Sequence, residues 1–160
     1  MTSLHGSPAV ALVALQPVQP AVAPKPRVGV AVLVVDAQRR LLLGRRGKQP
    51  NYGKWVIPGG GVEFGESWRK TGEREIEEET GLAVSIDERQ RPYILEVLGE
   101  KEHRIILYVE AQLIGGVLRP SSDLLDAQFF DRGALPTEDL SPIVRPVLAE
   151  FGWMSEVEGS

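Results

Sequence analysis

Apolar residues crowd positions 28–35, where Val28, Val30, Val32, Leu33, Val34 and Val35 stand with small residues between them. This β-branched run predicts a strand, Asp36, Ala37 and Gln38 predict a turn, and 40–43 predicts the hairpin partner. Residues 49–61 hold Pro50, Gly53, Pro58 and three consecutive glycines and read as loop. Ser67 can cap a helix over 68–80, which Gly81 is placed to end. Further strands are expected at 93–98, 104–113 and 127–130. A last helix should follow Ser141 and Pro142, where proline suits the first helical position, with Pro146 kinking or shortening it. Strands on both sides of one central helix, with a second helix near the C-terminus, predict an α/β domain: a mixed sheet flanked by helices.

Residues 1–26 break the pattern. Pro8, Pro17, Pro20, Pro24 and Pro26 lie among Ala, Val and Gln with one charge, Lys25. Proline lacks the amide donor and restricts its predecessor, so this stretch is expected to be a loose arm. It is followed by a single domain over 27–154 and a short tail over 155–160. The length, 160 residues, suits one core. Hydrophobic residues at 42% and charged residues at 25% match a soluble globular chain. No apolar run approaches the roughly 18 residues that span a bilayer. The absence of cysteine excludes disulfide scaffolds, thiolate metal sites and cysteine nucleophiles. The apolar stretch 9–15 is short and has no Lys or Arg before it, which argues against a secretory signal, and a cytoplasmic location is expected.

Charge changes the picture once it is located. The net charge of −4 argues against a stable nucleic-acid-binding surface. Between positions 63 and 79 lie Glu63, Glu66, Glu73, Glu75, Glu77, Glu78 and Glu79 against only Arg69, Lys70 and Arg74. Just upstream, Arg39, Arg40, Arg45, Arg46, Lys48 and Lys54 form a basic stretch with no acid among them. On a helix, Glu75, Glu78 and Glu79 share one face while Glu77 points elsewhere. Like charges at that spacing destabilise an isolated helix by a few tenths of a kcal/mol per pair. The run is either a solvated acidic face, partly neutralised by Arg74 and Lys70, or a nest of oxygen ligands for Mg²⁺, a hard cation that prefers carboxylates and phosphates.

Gly59, Gly60 and Gly61 lead into this helix, and glycine lets backbone approach a metal or phosphate closely. Gly60, Glu66, Arg74, Glu75, Ile76, Glu78, Glu79, Gly81 and Leu82 satisfy G-x5-E-x7-R-E-U-x-E-E-x-G-U, with U aliphatic. This resembles the Nudix box at every fixed position, a match of chance probability on the order of 10⁻¹⁰ per window at average residue usage. The stretch from Trp55 to Gly60 resembles the W-x-x-P-G-G that leads into the box in that family. Leu41 to Arg46 looks like its second strand, and Asp126 to Asp131 with Leu135 and Pro136 like its late strand and turn. The resemblance covers residues 27–140 and implies the Nudix α/β/α sandwich around a central mixed sheet. One departure stands at Thr71 and Gly72, where the family usually has small helix formers; glycine costs about 1 kcal/mol relative to alanine there and is expected to serve close packing on the sheet.

The resemblance implies metal-dependent hydrolysis of a nucleoside diphosphate linked to a further group, by water attack on phosphorus. Glu78 and Glu79 correspond to metal-ligating glutamates, Glu75 to a further ligand or base, and Gly59 to a glycine whose carbonyl can contact the metal. Arg74 corresponds to the arginine that orients the carboxylates, and Glu66 to the earlier box glutamate, a possible added ligand. Mg²⁺ is the implied cofactor, with Mn²⁺ as a substitute. The family's general base often lies outside the box, and here Asp123, Asp126, Glu100, Glu102 and Glu110 are candidates. The run from Gly61 to Trp68, followed by Glu100 to His103 before a strand, is similar to the branch that cleaves nucleoside triphosphates to monophosphate and pyrophosphate. Arg45, Arg46 and Lys48 could contact the phosphates. Phe64, Trp68, Tyr52 or Tyr93 could stack a base, although Trp68, on the helix, is expected to be a core residue first, and His103 could contact substrate. An ADP-ribose or nucleotide-sugar pyrophosphatase is the alternative, and a non-catalytic nucleotide sensor a remote one. The expected partner is a nucleotide, with no membrane and a homodimer left open.

Overall fold

The computed structural model describes residues 22–121 and 123–155, together with Ala11 and Val13. Most of the arm, and all of the tail except Ser155, lie outside the described residues. The strands are β1 (Arg27–Val35), β2 (Leu41–Arg46), β3 (Trp55–Val56), β4 (Gly59–Gly61), β5 (Leu82–Ser85), β6 (Tyr93–Leu98), β7 (His103–Gly116) and β8 (Leu124–Phe130). The helices are α1 (Trp68–Thr80) and α2 (Val144–Glu150), with 3-10 turns at Arg132–Ala134 and Thr137–Asp139. No helix among the described residues is long and apolar enough to cross a membrane.

β1 organises the sheet. It runs parallel to β7 along its whole length, from Arg27 beside Arg104 to Val35 beside Gln112. Its other edge is shared by two antiparallel strands: β4 pairs with Gly29, Val30 and Ala31, and β2 joins at Val35. β2 in turn pairs with β3 and β8, while β5 and β6 pair with different parts of β7. The sheet is therefore mixed, as expected. Alternation along β1 serves two cores. Ala31 and Leu33 pack with Leu41, Leu43, Trp55, Val144, Val147, Leu148 and Trp153 on the α2 side. Val30, Val32 and Val34 pack with Leu42, Ile76, Val84 and Val109 on the α1 side. A strand covered on both faces reads as an unbroken apolar run, which is why 28–35 is so rich in valine.

Local signals placed α1 to the residue. Ser67 Oγ accepts from Lys70 N at 3.3 Å, and Gly81 sits at φ 74°, its N–H donating to Glu77 O. Gly72 is buried against the sheet: a Cβ there would lie 2.9 Å from Ile86 Cδ1 and 3.0 Å from Val32 Cγ2. The expected close packing explains the departure at this position.

Other expectations are corrected. Pro142 precedes α2 instead of starting it, and Pro146 lies in the first turn, where its missing N–H removes no intrahelical bond. β3 and β4 occupy the stretch expected to be loop. β4 is three glycines held in the sheet by pairing with β1, a non-local cause that no local propensity reveals. β5 had no counterpart among the expected strands, and β7 continues to Gly116.

The β1–β2 turn closes on Asp36, which is 9% exposed. Its Oδ1 accepts from Gln38 N at 3.1 Å and Arg40 N at 2.8 Å, and its Oδ2 from Arg40 Nε at 2.8 Å. Asp36→Ala should therefore lower stability by about 1–3 kcal/mol, read as a lower denaturant midpoint at unchanged slope; an unchanged midpoint would show that the turn closes without this carboxylate.

Candidate active site

The acidic face of α1 is organised by one guanidinium. Arg74 Nε donates to Glu66 Oε2 at 2.8 Å and Nη2 to Glu66 Oε1 at 2.9 Å, a bidentate pair. Nη1 reaches Glu75 Oε1 at 2.9 Å and Glu78 Oε2 at 3.2 Å, and Nη2 also donates to Gly61 O at 3.3 Å. Thr71 Oγ1 adds a bond to Glu66 at 2.6 Å. The hydrogen bonds from Arg74 and then Thr71 hold the Glu66 carboxyl down to about 2. Its carboxylate partners in turn keep Arg74 protonated.

Glu79 is the exception. It is 7% exposed, and among the described residues its Oε2 accepts only from Gly59 N, at 3.2 Å. Burial, then the neighbouring Glu75 charge, push its carboxyl up to about 8. Burial also raises Glu75, against the pull of Arg74. Among the described residues no group of three or more Asp, Glu or His side chains is already set to hold a metal ion. The donor set nevertheless fits one: a buried carboxylate with no cation in contact, a second beside it, and backbone close at hand, all hard oxygens. The glycines create this proximity. A Cβ on Gly59 would stand 2.1 Å from Val30 O, and one on Gly60 would stand 2.2 Å from Glu75 Cδ. Any other residue at 60 would occupy the space of that carboxyl.

These groups open into a cleft of about 400 Å³ lined by Arg46, Lys48, Gly59, Gly60, Gly61, Glu75, Glu79 and Asp123. The cleft continues past Ile57 to Arg104, Ile106, Tyr108, Ser141, Ile143 and Val144 on the α2 side of the sheet. Lys48 Nζ meets Asp123 Oδ2 at 2.5 Å, and Gly47 N donates to Asp123 O at 2.7 Å, so two loops join at its mouth. The loop carrying Asp123 is fastened to the last turn of α1: Arg119 N donates to Thr80 O, and Ser121 N to Glu79 O at 2.9 Å. Ser121 Oγ adds a bond to Glu78 O.

Other expected residues stand apart from the cleft. The β2–β8 register shifts between Arg45 and Arg46, and only Arg46 lines the cleft; Arg45 Nε donates to Gly53 O at 3.2 Å. Phe64 is fully exposed before α1, and Tyr52 is also exposed. Trp68 packs at the edge of the α1-side core with Arg69 over its ring, and Tyr93 packs edge-on against Phe151. His103 pairs with Glu96 at 2.8 Å at the far end of β6. Asp126 accepts from Ala127 N and Gln128 Nε2 and does not line the cleft. The Glu78 side chain is 56% exposed, pairs with Arg74 and does not line the cleft. Glu110 belongs to a larger groove of about 630 Å³ near Asp36, which holds none of the helix carboxylates.

Sequence reasoning did not reach Arg104, Tyr108 and Ser141, because strand pairing and the approach to α2 bring them to the cleft. Burial pushes the Tyr108 phenol up to about 12, so it remains an O–H donor.

The comparisons agree with this geometry. The NUDIX domain model matches residues 25–151. An ADP-ribose pyrophosphatase of Methanocaldococcus jannaschii is 33% identical over 103 residues, 64% of this chain and 61% of that protein. An m7GpppN-mRNA hydrolase NUDT17 of Xenopus laevis is 51% identical over 59 residues, 36% of this chain and 20% of that protein. The chain thus spans less than two thirds of the length of either relative. The crystal structure of a MutT NUDIX hydrolase from Burkholderia pseudomallei superposes with a TM-score of 0.68 at 28% identity, covering 78% of this chain and 97% of the other. With the mixed sheet, the capped helix and its Glu75 and Glu79 in one glycine-lined cleft, the chain belongs to the NUDIX domain family.

Proposed function

We propose that this chain is a metal-dependent pyrophosphohydrolase that cleaves a nucleoside triphosphate to the monophosphate and pyrophosphate. The observation that carries the reading is the cleft lined by buried Glu79 and partly buried Glu75 together with Arg46 and Lys48. Carboxylates there suit a cation, and the bases suit phosphate oxygens. Glu75, Glu78, Glu79 and the Gly59 carbonyl would hold Mg²⁺, or Mn²⁺ in its place. When bound, such an ion would supply neutralisation of phosphate charge and a lowered pKa for water. Arg74 keeps Glu66, Glu75 and Glu78 gathered beside Glu79 in spite of their repulsion. Arg46 and Lys48 bind and orient the polyphosphate for in-line attack. Asp123, beside them, takes the proton of the attacking water. Glu66, sequestered by Arg74 and Thr71, orients Arg74 in this reading. The active unit is a single domain over 27–154 working on a free nucleotide in the cytoplasm.

A second reading takes ADP-ribose as substrate. It is favoured by the Methanocaldococcus relative, named an ADP-ribose pyrophosphatase, which aligns over 64% of this chain. Incubation with a nucleotide panel and Mg²⁺ separates the two. Monophosphate plus pyrophosphate from a triphosphate is expected; turnover confined to ADP-ribose, giving AMP and ribose 5-phosphate, would sink the first reading.

Chelation should abolish activity, with Mg²⁺ or Mn²⁺ restoring it. Because a bound cation supplies several kcal/mol of charge stabilisation, Glu79→Gln should lose about 10²-fold or more in kcat with its circular dichroism preserved. Near-normal turnover in that variant would remove Glu79 from the ligand set.

The two arginines should separate. Arg46→Ala is expected to cost about tenfold in kcat/KM on a triphosphate, the worth of one partly solvated charge-assisted hydrogen bond. Arg45→Ala, which loses only a contact to the Gly53 carbonyl, should stay within about twofold. Equal losses would mean that both serve the hairpin.

A further inference from the structure

We infer that the Lys48–Asp123 ion pair makes the site selective for phosphate-chain length: a phosphate that reaches Lys48 draws its ammonium off Asp123 and frees that carboxylate to take the proton of the attacking water. This rests on the triphosphate reading above and adds how a shorter substrate is held back. In the structure, the group assigned to phosphate and the group assigned to the proton are bound to each other, Lys48 Nζ to Asp123 Oδ2 at 2.5 Å. Both line the cleft with Arg46, Glu75 and Glu79. A carboxylate oxygen in a short charge-assisted hydrogen bond is engaged with its ammonium, and a base must instead stand within hydrogen-bond reach of the water. Binding of the right phosphate and release of the base are thereby one event.

The pair is built to exchange partners. Its side chains are 53% and 44% exposed, and an ion pair so open to solvent is worth little. The loops that carry them are joined independently, because Gly47 N donates to Asp123 O at 2.7 Å. Parting the side chains therefore leaves the mouth of the cleft in place. Arg46 ends β2, and Lys48 stands two residues further out in the loop. After burial, Glu75 and the Gly59 N–H, the charges that act on the Glu79 carboxyl are those of Asp123 and Arg46. Arg46 thus serves phosphates close to the glutamates and Lys48 the one beyond, which a two-phosphate substrate such as ADP-ribose does not reach. With Lys48 drawn outward, the step balances: one proton of the water passes to Asp123 Oδ2, the water oxygen bonds to phosphorus, and the P–O bond to the leaving pyrophosphate breaks with its electron pair.

The test reads the exchange by spectroscopy and by kinetics. The full chain with ¹³C-labelled aspartate carboxylates is followed by NMR at fixed pH with Mg²⁺, the Asp123 signal being the one lost in Asp123→Asn. Inorganic triphosphate should move this signal, and Lys48→Gln without any phosphate should move it in the same direction. In the kinetic arm, Lys48→Gln should lose about tenfold in kcat/KM on a triphosphate, the worth of one charge-assisted hydrogen bond. On ADP-ribose the same variant should gain about two- to fivefold in kcat, the worth of the half-exposed pair it releases. Adding Asp123→Asn should erase that gain. A lysine that only binds phosphate, or only supports the loops, would bring no gain on either substrate. The proposal is overturned if triphosphate leaves the Asp123 signal where it stands, if that signal moves equally far in Lys48→Gln, or if Lys48→Gln loses on both substrates alike. Failure of the hydrolase reading shows separately, as no turnover of any nucleotide when metal is supplied, and failure of the triphosphate reading as turnover confined to ADP-ribose.

Discussion

Arg74 is the residue on which the site's electrostatics turn. Glu66, Glu75 and Glu78 would repel one another and the buried Glu79 if left alone, and on an isolated helix the spacing of Glu75, Glu78 and Glu79 is unfavourable. One planar, permanently charged group binds Glu66 through two parallel hydrogen bonds and still reaches Glu75 and Glu78. Lysine could not do this, because an ammonium has no rigid fork to serve three carboxylates at once. The arginine stops short of Glu79, and that omission gives the site its character: the carboxylates around Arg74 share one cation, while burial and the neighbouring Glu75 make a charge on Glu79 costly.

The sheet supplies the other constraint. β4 lies against β1 at van der Waals limits, with Gly59 over the Val30 carbonyl. That contact sets how far the Gly59 backbone stands from α1, and so lets its N–H meet Glu79. The carboxylates are held from two directions, by a helix whose ends are capped and by a glycine strand fixed to the centre of the sheet. Both supports are regular elements, which hold side chains more precisely than loops do.

This division explains what could be read in advance. α1 was legible because Ser67, Gly81 and the glutamate spacing are local signals, and the box residues lie on it or immediately before it. The valine run betrayed a strand, though the cover on both its faces came only with the structure. β4 was not legible, since glycines have no strand preference and pairing with β1 creates the strand. The division of labour between Arg45 and Arg46 depends on a register shift opposite β8, which adjacent residues in a sequence do not announce. Phe64 was attractive as an aromatic beside the box, yet the turn before α1 leaves it in solvent.

The bonds from Arg119 and Ser121 to the carbonyls of Thr80, Glu79 and Glu78 have an implication for how such a domain can diversify. They make the β7–β8 connection a clamp on the C-terminal end of α1, so its length and path cannot drift without moving the helix that bears the carboxylates. The β6–β7 turn, closed by Gly99 and Glu102 on each other, has no such attachment among the described residues. Insertions that bring new substrate contacts can accumulate at the second connection and are constrained at the first. In a loop-exchange library built on this scaffold, the segment from Arg119 to Asp123 belongs with the helix as one inherited block.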